Sequence, residues 1–385
     1  MSVCAFALVA SEFLPVSLLT PLADDLNVTE GMAGQGIAIS GFFAVLTSLF
    51  ISPLSGRLNR KTLLLGLTAA MGLSGAIVAL APDYSLYMLG RALIGIAVGG
   101  FWSMSAATAI RLVPSQQVAR ALAIVNGGNA LATVLAAPLG AWLGATVGWR
   151  TAFFCLVPLA LLALGWLWHS LPSMPSTANK VQASQLFKVP GLLKRPKVLL
   201  GLCASSLMFM GQFALFTYLR PFLETVTGVH GSTISFYLLT TGAAGFIGTL
   251  MIGPLLQWRF FQTLMLIPLL MALSAFLLIL LGDQSQAVLV LLGLWGLTAT
   301  AAPVGWWAWI AQTFPDDAEA GGGLFVAMVQ LSIALGSTLG GLLFDHSGYQ
   351  NTFLFSAALL LLSAGLTLLT AGAAAVTKSE LVSHE

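Results

Sequence analysis

The chain has 385 residues, 58% of them hydrophobic and 7% charged, against about 25% charged residues in an ordinary soluble domain. So few charges exclude a water-exposed surface of this size and a disordered chain alike, and a net charge of +2 gives no reason to expect nucleic acid as a partner. Cys4, Cys155 and Cys203 lie far apart in apolar runs, which excludes a disulfide framework and a zinc or redox CxxC site.

A helix crossing a bilayer needs about 20 mainly apolar residues. Such runs are predicted at 3–23, 31–54, 62–82, 86–110, 118–145, 151–171, 198–220, 232–256, 261–282, 287–310, 320–343 and 350–375. Helices satisfy their own backbone groups in lipid, and the alternating segments of a membrane β-barrel are absent. The first run has no basic leader and carries Glu12 at its middle, so it reads as a span and not a signal peptide. The chain begins almost inside that span, so a short cytoplasmic leader is expected to be missing. With the amino end in the cytoplasm, twelve Lys and Arg residues fall inside and two, Arg150 and Arg220, outside. This positive-inside asymmetry places both termini in the cytoplasm.

The polar stretch 172–197 is expected to link an N-terminal half at 1–171 to a C-terminal half at 198–375, with a tail at 376–385. The halves resemble each other at an offset of 200: Glu12-Phe13 matches Gln212-Phe213, Pro21 matches Pro221, and Gly140 matches Gly340. The fold expected is an all-α polytopic membrane protein of twelve helices in two pseudo-symmetric six-helix halves. Parallel repeats of this kind hold substrate between them near the bilayer midplane.

Glu12 is the only acidic residue inside any expected span. At 1.5 Å per residue it sits roughly 16 Å from the outer end of its helix. Ionising it at that depth costs about 2.5–3.5 kcal/mol, which suits a group that takes up and releases protons. Arg91 is the only basic residue in the interior of a span, Arg120 and Arg220 lying in end turns of theirs, and it shares one stripe with Gly95, Val98, Trp102 and Ser105. It is expected either to partner Glu12 or to reach the outer headgroups. Asn126, Asn129 and Thr133 share one face of the fifth helix, and Gln35, Gln212 and Gln330 are further polar candidates. Phe101, Trp102, Phe209, Phe213, Phe216, Trp306 and Trp307 lie deep, where Trp is unusual. Rings and amides together suit a flat, polar-edged molecule. The expected cavity is therefore Trp102, Asn126, Asn129, Thr133, Gln212, Phe216, Trp307 and Gln330. The four histidines show no metal spacing, and no nucleotide or HExxH motif occurs. No cofactor, metal or enzymatic activity is expected, and transport would draw on an ion gradient.

Arg91-x-x-x-Gly95 resembles the fourth-helix motif of the major facilitator superfamily. Residues 52–61 resemble its loop 2–3 signature through Pro53, Arg57, Arg60 and Lys61, although Gly56 and Asn59 stand where the family has Asp and Gly. Ala137-Pro138-Leu139-Gly140 keeps Pro138 and Gly140 of the fifth-helix antiporter motif. The stretches 12–20, 99–103, 211–214 with Tyr218, and 303–306 are similar to the drug:proton antiporter group, and within it to purine ribonucleoside efflux pumps. The resemblance implies a bacterial inner-membrane, monomeric antiporter exporting a small molecule, of the inosine or guanosine type, in exchange for protons by alternating access. It implies proton coupling by Glu12 and Arg91, and conformational roles for Pro53, Arg57, Arg60, Lys61, Gly95, Pro138 and Gly140. The alternatives are sugar or multidrug efflux by the same antiport or, from another class, a membrane sensor that transports nothing.

Overall fold

The computed structural model describes residues 1–55, 59–114, 117–174, 196–314 and 318–382. Among these residues the regular structure is helical, with no strand. The elements are α1 Ser2–Ser17, α2 Leu19–Leu26, α3 Glu30–Ser55, α4 Arg60–Ala79, α5 Tyr84–Leu112, α6 Val118–Val147, α7 Trp149–Phe154, α8 Leu156–Ser170, α9 Pro196–Phe216, α10 Leu219–Thr225, α11 Ser232–Leu280, α12 Ser285–Thr313 and α13 Ala318–Val382.

Nine described runs are long and apolar enough to cross a membrane, and α1 with α2 passes the same test as a pair bent by 69°. Two runs are too long for one crossing. The 49 residues of α11 would extend about 73 Å, more than twice the ~30 Å hydrocarbon core. Its backbone leaves helical geometry at Arg259, and that of α13 at Gly348. Gly348 has φ 79°, which glycine adopts without the Cβ penalty. Divided there, the helices fit twelve spans in two halves.

Three expected spans are not single helices. The run 3–23 breaks at Leu18, 151–171 at Cys155, and 198–220 at Thr217 and Tyr218. Each break lies three or four residues ahead of a proline, at Pro21, Pro158 or Pro221, where the missing N–H and the ring disturb the preceding turn. The last helix runs to Val382, through most of the stretch expected to be a tail. Ala373, Ala374 and Ala375 favour the helix, and no Gly or Pro follows to stop it. Of the expected linker, 175–195 lies outside the described residues.

The halves meet through α3 against α13 and α6 against α11. These are the second span on the eleventh and the fifth on the eighth, a pairing that an exchange of halves leaves unchanged. The offset of 200 reappears in space. A Cβ at Gly140 would strike Leu14 and Ser17, and one at Gly340 would strike Ala214. Phe13 and Phe213, repeat partners, meet with ring centroids 6.1 Å apart.

Within the first half, Arg91, Gly95 and Gly99 of α5 face Gly36, Ser40 and Ala44 of α3 at matching four-residue steps. A Cβ on Gly95 would collide with the Ser40 carbonyl, and one on Gly99 with that of Ala44. The Gly in the fourth-helix motif thus lets two backbones touch.

Candidate functional site

A cavity of about 790 Å³ lies between the halves. The eight residues expected around a cavity, Trp102, Asn126, Asn129, Thr133, Gln212, Phe216, Trp307 and Gln330, all contribute to its wall. Phe13, Phe209, Phe213, Trp295 and Phe325 bring further rings, and Ser105, Thr241, Thr249 and Thr300 further hydroxyls. Among the described residues no lining side chain is charged.

The wall has a definite hydrogen-bond polarity. Thr133, Thr241 and Thr249 each donate the hydroxyl to the carbonyl four residues back, to Asn129, Tyr237 and Gly245, at 2.9–3.0 Å. Their donors are spent inside their own helices, so what they can show the cavity is lone pairs. Among the described residues Gln212 Oε1 and Gln330 Oε1 are buried acceptors without a partner, and Trp295 Nε1 is a buried donor without one. A solute matching this wall brings several O–H or N–H groups, at least one acceptor, and a face that rings can cover. Trp295, Thr241 and Thr249 were missed by sequence reasoning. Trp295 carried the same signal as Trp102, an indole deep in a span.

Three of the further candidates stand elsewhere, Phe101 being 1% exposed in the first half's core. Gln35 accepts from Thr338 Oγ1 at 3.1 Å across the halves. Trp306 is 1% exposed and donates to Met208 Sδ at 3.3 Å, packed in the second half's core.

Glu12 is half-buried beside this cavity, and Gln330 Nε2 donates to its Oε1 at 3.4 Å from the other half. Arg91 takes neither expected course. It does not reach for headgroups, being 1% exposed, and among the described residues it makes no ion pair with Glu12 within 4 Å. Its Nη1 donates to the Ser11 carbonyl at 2.8 Å and its Nε to that of Gly36 at 3.0 Å. The physical reason lies four residues beyond Ser11. Pro15 has no N–H, so the Ser11 carbonyl has no helical donor, and Arg91 supplies one. Arg220 does the same for Ser17, whose donor is removed by Pro21, across the halves. The Arg91 guanidinium is therefore held at the backbone of the residue next to Glu12.

The other polar contacts between halves gather at one end. Asp345 of α13 accepts from Thr29 Oγ1 at 2.5 Å and from the Gly31 N–H at 2.9 Å, which ties it to the first turn of α3. Within the second half Tyr218 donates to the Ser337 carbonyl at 2.7 Å, and it meets the first half by packing on Gly34, where a Cβ, like one on Gly341, would strike its hydroxyl. This end carries the loops expected outside. The cavity lining lies away from this end, on the side of the opposite one, and includes Trp102, Asn126, Thr249, Trp307 and Phe325.

At that opposite end Arg57 lies outside the described residues, as does the side chain of Pro53. Asn59 caps α4, its Oδ1 accepting from Lys61 N at 2.9 Å and from Met174 N at 3.2 Å, while its Nδ2 donates to Ser173 Oγ. Lys61 Nζ donates to the Trp168 carbonyl at 2.7 Å, and the Arg60 side chain is buried. The departure from the family's Gly at position 59 thus joins loop 2–3 to the end of α8. Pro138 and Gly140 are buried in α6, Gly140 against α1.

A family model described as Major Facilitator Superfamily matches residues 1–322. A protein of Pseudomonas aeruginosa named transcription regulatory protein OpdE is 74% identical over 362 residues, covering 94% of this chain and 90% of that one. The purine ribonucleoside efflux pump NepI of Shigella sonnei is 39% identical over 93% of this chain and 90% of its own, and that of Escherichia coli K12 is 38% identical over the same shares. Among solved structures, a mutant of the nucleoside transporter NupG superposes with a TM-score of 0.78 at 11% identity, covering 96% of this chain and 98% of that one. An inward-facing bacterial homologue of the lysosomal transporter Spinster gives 0.77 at 15% identity, covering 97% and 95%.

Proposed function

The chain belongs to the Major Facilitator Superfamily, and from that premise we propose that it exports a neutral, donor-rich small molecule, of the purine ribonucleoside class, in exchange for protons. The uncharged cavity wall carries this reading. A nucleotide or an organic cation would lose its hydration there without gaining a counter-charge. A nucleoside offers a base for Trp102, Phe216 or Trp307 to cover and ribose hydroxyls for Thr133, Thr241, Gln212 and Gln330. The efflux-pump relatives at 38–39% identity support the same cargo.

Glu12 is the group we assign to coupling, with Arg91 holding the α1 backbone beside it. One proton moved through 100 mV is worth about 2.3 kcal/mol, a roughly 50-fold gradient of a neutral solute at 1.36 kcal/mol per decade. The halves 1–171 and 198–375 would rock about the cavity, from an inward-open form to one open at the Asp345 end. The test is a competition panel in proteoliposomes. Inosine and guanosine should compete for counterflow while arabinose and a lipophilic cation do not. Competition by arabinose alone would move the protein to sugar efflux.

The name of the Pseudomonas aeruginosa relative favours a second reading, an effect on transcription. A transporter produces one indirectly when it removes an inducer from the cytoplasm, and a sensor produces one without flux. A transport-dead Glu12→Gln chain would lose the transcriptional effect in the first case and keep it in the second.

A further inference from the structure

Gln330 stands where the cavity meets Glu12. Its side chain is part of the cavity wall, yet the residue is only 8% exposed. Its Nε2 donates to Glu12 Oε1 at 3.4 Å across the halves. Its Oε1 is buried and has no partner among the described residues. An ionised carboxyl only accepts hydrogen bonds, a protonated one carries an O–H donor, and a primary amide has one accepting end and one donating end. Opposite an ionised Glu12 the amide must therefore present Nε2, and the end left for a solute is the acceptor. Opposite a protonated Glu12 the stronger bond runs from the carboxyl O–H to Oε1, and the end left for a solute is the donor.

We propose that Gln330 is the positioning residue that reports the protonation of Glu12 to the cavity: proton uptake turns the amide over and replaces the acceptor offered to the solute with a donor. A solute held through its own O–H or N–H loses that bond, so proton and solute exclude each other through a side chain that touches both. The inference rests on Glu12 being the coupling group. It also explains how a carboxyl on the first half can act on a cavity wall contributed by the second. Gln330 from α13 is the side chain bonded to the Glu12 carboxyl, and Arg91 from α5 is held at the neighbouring Ser11 carbonyl. Among the described residues no Lys or Arg forms an ion pair with Glu12 within 4 Å. Arg91 Nε and Nη1 are both held by carbonyls, so the guanidinium keeps its place while the amide turns.

The test uses the full-length purified protein and two readouts. In ligand-free protein, the infrared carbonyl band of the protonated carboxyl is followed against pH, and its absence in Glu12→Gln identifies it. Gln330→Met removes both ends of the amide, and Gln330→Asn keeps an amide that is too short to reach Glu12. Both should move the midpoint of the Glu12 band by about one pH unit or more, equivalent to a tenfold change in proton affinity. The pH dependence of inosine binding should flatten in both. A wild-type midpoint and a wild-type pH profile in both variants would overturn the proposal. The infrared midpoint decides it without a ligand. A Glu12→Gln protein whose binding keeps the wild-type pH profile would instead remove the coupling role of Glu12. Loss of the pH profile in Glu12→Gln, with the two Gln330 variants unchanged, would remove only the relay.

Discussion

Pro15 withholds one N–H from the first span, and an arginine from the fourth span fills the place. This makes Arg91 a backbone donor as well as a charge near Glu12. Arg91→Ala should lower stability in detergent by about 1–3 kcal/mol for the buried carbonyl it strands. Pro15→Ala restores a helical donor to Ser11, so the loss should be smaller in that background, because the two changes share one carbonyl. Thermal unfolding of the two single variants and the double variant checks this, and additive losses would show that Arg91 is needed elsewhere. The spacing from Pro15 back to Ser11 was visible in the sequence. That the donor would be Arg91 was not, since a lone basic residue in a span points first to the lone acid. The polar cavity residues were legible for a plainer reason: an amide or an indole in an apolar run has few places to go. Thr241 and Thr249 were silent because a hydroxyl bonded four residues back leaves the hydropathy pattern nearly untouched.

Helix positions followed from hydropathy, but their bends did not. Leu18, Cys155 and Tyr218 each lie three residues before a proline, whereas Pro138 and Pro303 sit inside unbroken helices. A proline marks where a break is cheap, and packing decides whether it occurs. Close approach was better signalled. Gly99→Leu should abolish the folded protein, because even its Cβ meets the Ala44 carbonyl and the neighbour is backbone. Gly66→Ala, on α4 with nothing within 4 Å, should be neutral or stabilise by up to about 1 kcal/mol through helix propensity. Size-exclusion profiles and unfolding temperatures of the pair separate the two cases. Asn59→Ala should cost about 1 kcal/mol as a lost helix cap, read in the same unfolding assay, and would loosen loop 2–3 from Ser173 and Met174.

Across the whole molecule, the second span on the eleventh and the fifth on the eighth make a two-fold-related pair of contacts, and the Asp345 end is where the halves are pinned. Asp345→Ala removes the bonds to Thr29 and Gly31, worth roughly 1–3 kcal/mol together. It should shift the population toward a form open at that end, seen as longer spin-label distances between the first and eleventh spans there. Unchanged distances would place the pin at Tyr218 instead. The central claim, that a proton at Glu12 drives a neutral nucleoside across this fold, is tested most directly in proteoliposomes by inosine transport against its gradient with an imposed pH difference. Wild-type protein should accumulate inosine and lose the accumulation when the pH difference is collapsed, and Glu12→Gln should exchange inosine without accumulating it. Uphill transport by Glu12→Gln at the wild-type level would contradict the account.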